Sequence, residues 1–338
     1  MGKSNLLDAL YYLSFCKSFT GANDGLMVRR NEDFAALKGL YFRRGLDEEI
    51  TAGVRPGSRK VFKRSGKAYQ RLAEHIGAFP LVLLSPADMD LVGGEPAERR
   101  RFIDQIISQS DSRYLDALMR YNSALEQRNR LLRDECTDNG LFEALDLQLE
   151  MAGQYLTLRR AAAVERLSEI FKPYYAAISD SAEEASLDYK HTEYPDGLAA
   201  HLAQMRARDY ALHYTASGPH RDDIEFMVDD MPVRRTASQG QTKTFTTALR
   251  FAQYELLRES LGVRPLLLLD DIFDKLDSGR VSRIMGIVGA SDTFGQIFIT
   301  DTNRKHLDEI VADIPEAAQN YRLWHVERGV FTPINTDK

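Results

Sequence analysis

The sequence has few of the features that mark secreted, disulfide-stapled or membrane-embedded proteins. It contains two cysteines, Cys16 and Cys136, in no metal-ligand spacing, so a disulfide framework is not expected and a reducing cytoplasm fits. No apolar run reaches the ~18 residues of a membrane span, and no secretory signal pattern is present. The apolar share of 43% and the charged share of 28% are typical of a globular chain.

The sequence also lacks internal repeats, low-complexity tracts and long heptad arrays, which excludes solenoids and extended coiled-coil arms. Hydrophobic spacing predicts one amphipathic helix over residues 1–15, with Leu6, Leu7, Leu10 and Leu13 on its apolar stripe. Antiparallel strands are predicted within 25–80, a buried strand at 80–84, and helices from 95 to 171. The later predicted elements are helices at 239–259, 278–288 and 304–311, strands at 266–269 and 296–300, and two strands within 321–332.

This alternation of helices and strands after residue 232 indicates an α/β fold with a mostly parallel sheet. The helical block then interrupts the core as an insertion. We predict a first core segment at 1–95, a mainly helical second lobe at 96–215 and a second core segment at 216–338.

The net charge of −6 is distributed unevenly along the chain. Residues 29–71 hold twelve Lys and Arg against five Asp and Glu, a local charge of +7. Such a segment can supply phosphate contacts to nucleic acid, and it is equally the composition of a solvated hairpin region. The candidate contacts are Arg59, Lys60, Lys63 and Arg64.

Gly2-Lys3-Ser4 stands immediately before the first predicted helix. Phosphate-binding loops end in these residue types because backbone N–H groups at a helix start attract anions. In that interpretation Gly2 belongs to the loop, Lys3 reaches the β- and γ-phosphates of ATP, and the Ser4 hydroxyl binds Mg²⁺. The tripeptide alone is weakly specific, because the earlier glycine and the preceding strand of the full pattern are missing from this sequence.

Asp270 and Asp271 end the apolar strand at 266–269. Ligands of α/β proteins bind at the carboxyl ends of parallel strands. Asp270 is therefore predicted to hold Mg²⁺ through water, and Asp271 to act as the catalytic residue that orients or polarises the attacking water. A buried strand that runs into an acidic turn gives the same pattern without a function.

Ser238-Gln239-Gly240-Gln241 begins a long predicted helix. Ser238 and Gln241 have the spacing of a helix capping box. Gly240 is unusual there, because glycine costs ~1 kcal/mol relative to alanine inside a helix. The signature motif of ATP-binding cassettes has the same residue order and binds the γ-phosphate of a nucleotide held by the partner subunit, so Ser238, Gly240 and Gln241 are candidate ATP-binding residues.

The order of these motifs is more specific than any one of them. The signature precedes the acidic strand by about 30 residues, and Asp277 follows that strand. The block Phe-Ile-Thr-Asp at 298–301 comes later, where such ATPases place a residue near the γ-phosphate. The combination predicts a cassette-type P-loop ATPase core. A P-loop small-molecule kinase is disfavoured, because the signature precedes the acidic strand and a helical block is inserted.

Over nearly its whole length the chain resembles the RecF family of DNA-repair ATPases. Apart from the cassette motifs, the resemblance is carried by three blocks, Ser-Pro-Ala-Asp-Met-Asp-Leu-Val at 85–92, Pro-Ala-Glu-Arg-Arg-Arg-Phe-Ile-Asp at 96–104 and Ser-Gly-Pro-His-Arg-Asp-Asp at 217–223. The family's basic cluster matches Arg99, Arg100 and Arg101, with no role that the sequence supplies. His220 and Arg221 are expected to be structural rather than catalytic.

The resemblance implies a weak, DNA-dependent ATPase that uses ATP and Mg²⁺ mainly as a switch. It implies a homodimer that forms on ATP binding, with Asp277 in the acidic loop across the interface, and binding to single-stranded or gapped DNA. The implied partners are RecR and RecO, with which the family loads recombinase at gaps in recombinational repair and the SOS response.

Family chains normally begin with two further strands and the glycine-rich half of the phosphate loop. We therefore expect either a natural start upstream of Met1, which the otherwise intact motif set favours, or a truncated product with little or no ATP binding. Two other hypotheses stay open from the sequence. One is the head of another chromosome-organising ATPase, which the lack of long heptads and the Gly-Pro-His-Arg block disfavour. The other is a DNA-binding scaffold without catalysis, which ATP-insensitive DNA binding would indicate.

Overall fold

The computed structural model describes residues 2–179, 183–273, 277–290, 293–302 and 321–334. The chain forms two compact units, Met1–Pro86 with Leu257–Lys338 and Ala87–Leu256. The compact units are not the three predicted segments, and their boundaries fall at other residues. The predicted division at 1–95, 96–215 and 216–338 therefore stays a prediction.

The described helices and strands follow the predicted alternation closely. The first half of the chain contains α1 (Lys3–Phe15), β1 (Ala35–Arg43), β2 (Leu46–Val54), β3 (Val61–Arg64), β4 (Lys67–Ala68), β5 (Leu81–Leu84), α2 (Met89–Gly93), α3 (Pro96–Ser110), α4 (Ser112–Arg133) and α5 (Asn139–Ser179). The second half contains β6 (Ala185–Lys190), α6 (Leu198–Gln204), α7 (Arg206–Leu212), β7 (Asp223–Val228), β8 (Met231–Pro232), α8 (Val233–Thr236), α9 (Gln239–Leu261), β9 (Leu266–Asp270), α10 (Ser278–Ala290), β10 (Ile297–Thr300), β11 (Leu323–Glu327) and β12 (Val330–Ile334).

The first unit contains two larger sheets of different kinds. Strands β1, β2, β3 and β4 form an antiparallel sheet in chain order, as the sequence predicts. Strands β10, β9 and β5 form a parallel sheet with β9 in the centre, where Leu269 pairs with Leu84 and with Ile299. The predicted strands at 321–332 form the antiparallel hairpin β11–β12. The helix predicted at 304–311 lies outside the described residues.

Helix α1 is buried on two sides, which the predicted single apolar stripe does not anticipate. Tyr12 and Leu13 pack in a cluster with Ile50 and Phe62 of the antiparallel sheet. On its other side Leu7, Tyr11 and Phe15 pack against the parallel sheet, in a cluster with Leu81, Leu83 and Leu268. A helix that is apolar on more than one side is a core element, since each side needs its own cover.

In the second unit, the paired helices α4 and α5 are joined to α7 by a fully buried arginine. Arg128 of α4 donates from Nε to Asp146 Oδ1 and from Nη1 to Asp209 Oδ2, both at 2.7 Å. A buried guanidinium is stable only where carboxylates and further acceptors satisfy it. Thr215 Oγ1 supplies one of these, at 2.9 Å.

A second buried arginine, Arg160 of α5, fastens α3 and the Gly-Pro-His-Arg block. Its Nε donates to Asp104 Oδ1 at 2.9 Å and its Nη1 to the Pro219 carbonyl at 2.7 Å. Arg99 forms a two-pronged pair with Asp223 at 2.8 and 2.9 Å. The block at 217–223, which resembles the RecF family, therefore provides hydrogen bonds and an ion pair that hold the second unit together.

The second unit also contains a small antiparallel sheet, β6–β7–β8, within an otherwise helical region. The sequence pattern does not predict this sheet. Strand β7 alternates half-buried and buried residues along Asp-Ile-Glu-Phe-Met-Val, which is the period of a one-sided strand. None of the described helices in the chain combines the length and the apolar character that crossing a bilayer requires.

We expect Arg128→Ala to lower the free energy of unfolding by roughly 3–5 kcal/mol, because the Asp209 carboxylate loses its buried counter-charge and the Asp146 carboxylate is left with Arg206. Urea denaturation measures the loss. The matched control is Arg101→Ala, whose exposed guanidinium pairs with Glu98 one helical turn away and contributes no more than about 1 kcal/mol. Equal losses in the two variants would contradict the role of the buried charge.

The stability of the second unit should also depend on pH through His220. Burial lowers the pKa of His220 to about 4, whereas an unfolded histidine titrates near ~6.5. The unfolded chain binds the extra proton first, so this contribution is complete above about pH 6.5 and is lost as the pH falls towards 4. Unfolding curves of His220→Gln should lack this component, and His325→Gln, at an exposed histidine, controls for the change of residue type.

Candidate nucleotide-binding site

The amino end of α1 is open to an anion. Gly2 precedes the helix with a φ of 123°, and no side chain caps the helix start. The first turn carries no acidic residue, so no carboxylate there compensates the positive end of the helix dipole or accepts from its N–H groups. A Cβ at position 2 would lie 3.0 Å from the Gly329 Cα in the β11–β12 turn, so the close neighbour favours glycine in addition to the positive φ.

Lys3 lies at the carboxyl end of β10. Its Nζ donates to the backbone carbonyl of Asp301 at 2.5 Å, although the two residues are 298 positions apart in sequence. Asp301 is buried and directly follows β10. The structure thus brings together Lys3 and the strand end that the motif order singled out.

Ser4 lies beside Asp270 at the neighbouring strand end. The Ser4 hydroxyl donates to Asp270 Oδ1 at 3.3 Å. The Thr300 hydroxyl donates to the same oxygen. Asp270 is 7% exposed, so two neutral hydroxyl donors stabilise a nearly buried carboxylate without neutralising its charge.

Asp271 turns the chain away from β9. It has a φ of 50°, in the left-handed region that aspartate tolerates better than most residues. Its backbone N–H donates to the Thr300 carbonyl at 3.1 Å, which continues the contact between β9 and β10 beyond the last strand residue. Asp271 is half-buried at the same sheet edge.

These donors fit the chemistry of a magnesium–phosphate complex. Ser4 and Asp270 offer a hydroxyl and a carboxylate, the hard oxygen ligands that Mg²⁺ prefers, and Lys3 offers an ammonium. Among the residues that the structure describes, no group of three or more His, Cys, Asp or Glu side chains is placed to hold a metal. Mg²⁺ in nucleotide sites needs no such cage, because it takes one or two protein ligands together with phosphate and water.

Asp277 immediately precedes α10 in the same compact unit. Its Oδ1 accepts the backbone N–H of Arg280 at 2.9 Å, and its Oδ2 lies 3.2 Å from Nη1 of the same residue. The Arg280 N–H, and then the Arg280 charge, lower the pKa of the Asp277 carboxyl from its usual value. Asp277 is exposed and therefore accessible to another molecule.

The signature residues lie in the other compact unit, at the start of α9. The Ser238 N–H donates to Gln241 Oε1 at 2.9 Å, and the Gln241 N–H donates to Ser238 Oγ at 3.2 Å, so the predicted capping box is present. Gln241 Nε2 also donates to Glu183 at 3.0 Å. Gly240 is half-buried in the first turn, and Ser238 is exposed.

The four basic residues singled out as nucleic-acid contacts divide into two pairs. Lys60 pairs with Asp24 at 2.9 Å and donates to the Cys16 carbonyl at 2.6 Å, and Arg64 pairs with Glu48. Lys60 and Arg64 therefore form ion pairs within the first unit. Arg59 and Lys63 are exposed.

Three contacts are not predicted from the sequence. The Thr300 hydroxyl donates to Asp270, Gly329 lies against Gly2, and Glu183 accepts from Gln241. Thr300 lies within the Phe-Ile-Thr-Asp block at 298–301, but nothing in that block indicates its bond to Asp270. Gly329 was predicted only as a turn, and no local pattern in the sequence links Glu183 to a helix that starts more than 50 positions later.

Comparison with known proteins gives consistent relatives, although no family model matches the chain. A DNA replication and repair protein RecF of Parabacteroides distasonis is 48% identical over 99% of this chain and 90% of its own length. The RecF of Bacteroides fragilis is 45% identical over 98% of this chain and 89% of its own length.

Solved structures agree with the sequence relatives. A recombination mediator protein RecF of the RecFOR pathway, with ATPrS, matches with a TM-score of 0.86 and 26% identity over 99% of this chain and 89% of its own. An Smc head domain of Pyrococcus furiosus matches with a TM-score of 0.53 at 18% identity over 98% of this chain and 86% of its own, which shows a shared fold alone. The predicted fold class is confirmed, and the chain belongs to the RecF family of DNA replication and repair proteins.

Proposed function

We propose that this chain binds ATP and Mg²⁺ at the amino end of α1 and closes into a dimer that engages DNA. The observation that carries the proposal is the convergence of Lys3, Ser4 and Asp270 at adjacent strand ends, with Ser4 and Asp270 separated by 266 positions. Further support comes from two solved relatives at 26% identity, which are RecF with ATPrS and RecF with ATP.

Each polar group at the α1 end has a separate role in this proposal. Lys3 neutralises the β- and γ-phosphates, and the open N–H groups after Gly2 bind phosphate oxygens. Ser4 and Asp270 would hold Mg²⁺, which would supply positive charge against the phosphate oxygens. Asp271 orients the attacking water and accepts its proton, so hydrolysis depends on a residue that nucleotide binding does not need.

The remaining predicted residues act across a dimer. Ser238, Gly240 and Gln241 of one copy contact the γ-phosphate of a nucleotide held by a second copy. Asp277 lies in the acidic loop at the same interface. The reciprocal bonds between Ser238 and Gln241 support this role, because they fix the exposed serine at a helix start whose dipole favours a phosphate.

The closed dimer binds single-stranded or gapped DNA in the cytoplasm and acts with RecR- and RecO-type mediators to load recombinase at gaps. Slow, DNA-dependent hydrolysis then opens the dimer, so ATP sets the duration of binding. This role serves recombinational repair and the SOS response. It is supported by the names of the relatives, which are DNA replication and repair proteins and a recombination mediator of the RecFOR pathway.

A mixing experiment tests the shared nucleotide site. Lys3→Ala and Ser238→Arg should each abolish dimerisation in Mg-ATP, measured by light scattering. An equal mixture should regain dimers, because a mixed dimer keeps one site with an intact Lys3 and an intact Ser238.

Lys172→Ala and Ser123→Arg, at exposed residues of α5 and α4, are the matched controls and should dimerise normally. A mixture as inactive as either variant alone argues against a composite site. DNA binding by the wild type that ignores both ATP and Ser238→Arg would favour the non-catalytic scaffold.

Replacing the two adjacent carboxylates should separate binding from hydrolysis. Asp271→Asn should keep ATP-dependent dimerisation and lower the hydrolysis rate by about 100-fold or more, since it removes the proton acceptor. Asp270→Asn should weaken Mg²⁺-dependent nucleotide binding itself. Asp47→Asn, at an exposed residue, is the control. Hydrolysis by Asp271→Asn at the wild-type rate would refute the catalytic assignment.

A further inference from the structure

The basic segment contains a stretch with no acidic residue at all. Residues 51–73 hold seven Lys and Arg and no Asp or Glu, within a chain whose net charge is −6. They comprise the end of β2, the β2–β3 turn, β3, β4 and the residues that follow. An acid-free basic stretch on an acidic protein favours a localised anionic partner, because the rest of the surface repels one.

The structure shows which of these cations are available. Lys60 and Arg64 are engaged by Asp24 and Glu48, so they neutralise charges of their own unit. The available cations form what we call the basic edge, which consists of Arg55, Arg59, Lys63 and Lys67.

All four residues of the basic edge are exposed, and among the described residues no carboxylate pairs with them. Arg59 donates to the Gln70 carbonyl at 3.2 Å, and this neutral acceptor leaves the guanidinium charge in place.

The basic edge follows the outer border of the antiparallel sheet. Arg55 and Arg59 lie in the turn before β3, Lys63 lies on β3, and Lys67 lies on the border strand β4. At ~3.3 Å per residue the extended chain from Arg59 to Lys63 covers about 13 Å. Phosphates on one DNA strand rise by ~3.4 Å each, so this length spans about four of them.

The side chains around the basic edge favour phosphate contact over base contact. The two aromatic residues of 51–73 are Phe62, which is buried, and Tyr69, which is half-buried, so neither offers an exposed ring to an unstacked base. Cations without stacking rings position a duplex through its backbone and carry no sequence information.

We propose that the basic edge binds the phosphate backbone of duplex DNA beside a gap. The assignment rests on the proposed function, since it names the DNA-contact surface of the same protein. It replaces Lys60 and Arg64, which the sequence nominated, with Arg55 and Lys67, and it keeps Arg59 and Lys63. The sheet border at β1 is less suited to DNA, because two carboxylates lie beside it. Asp47 and Glu49 of β2 stand opposite Phe42 and Leu40 of β1 in the strand register.

The test measures binding of a labelled gapped duplex by fluorescence anisotropy in Mg-ATP over a series of salt concentrations. The test variant replaces Arg55, Arg59, Lys63 and Lys67 with alanine. The matched control removes two arginines and two lysines that are also exposed, through Arg120→Ala, Arg133→Ala, Lys172→Ala and Lys190→Ala. ATP-dependent dimerisation and the melting temperature are measured on every variant.

We expect the test variant to bind roughly 10- to 100-fold more weakly and to have a salt slope shallower by about 3–4, at ~0.9 per phosphate contact. The control should match the wild type, and the loss should be as large on a blunt duplex as on the gapped one. Lys63→Gln with Lys67→Gln, which keeps most of the side-chain length, should give about half of the change in slope.

An unchanged affinity and slope in the test variant would overturn the assignment, as would an equal loss in the control or a loss confined to single-stranded DNA. Wild-type protein that dimerises on ATP but binds no DNA would instead overturn the DNA part of the proposed function. Wild-type protein that does not dimerise on ATP would overturn its nucleotide part.

Discussion

The burial of α1 on two sides is the constraint on which the candidate site depends. One side of the helix packs under the antiparallel sheet and the other packs on the parallel sheet, through clusters centred on Tyr12 and Leu7. A helix held in this way has little freedom to slide or rotate, because close-packed interiors resist small displacements. The positions of Lys3 and Ser4 are therefore set by apolar packing along the rest of the helix.

The parallel sheet supplies the other half of the site. Since β9 lies between β5 and β10 with all three strands in one direction, their carboxyl ends meet at one edge. That edge brings the Asp270 carboxylate to Ser4 and the Asp301 carbonyl to Lys3. A change of register by one residue would move Asp270 to the other face of the sheet, so the hydrophobic pairing of the leucines in β5 and β9 also determines the polar geometry.

The sequence predicts the elements better than it predicts their partners. Local patterns predict the bounds of β5, β9 and β10 closely, and they predict the hairpin at Arg328-Gly329. They also place Asp270 and Asp271 at the end of β9. The two-sided burial of α1, the β6–β7–β8 sheet and the bond from Thr300 to Asp270 could not be predicted in this way. Each depends on which distant segment lies opposite, and period alone carries no information about that.

The roles of the charged residues show most clearly that sequence patterns do not predict distant contacts, because identical residue types have opposite roles in this chain. Arg128 and Arg160 are buried against carboxylates and hold helices together, Lys60 closes the end of α1, and Arg55 and Lys67 remain in solvent. Composition counts all of them equally as basic. A buried cation must be paired with a carboxylate, and a paired cation no longer attracts DNA. The residues that can attract DNA are therefore the exposed cations that remain after this internal pairing. In this chain the acid-free part of that remainder lies at the border of the sheet that covers α1, so one element contributes both to the core around the nucleotide site and to the proposed DNA surface.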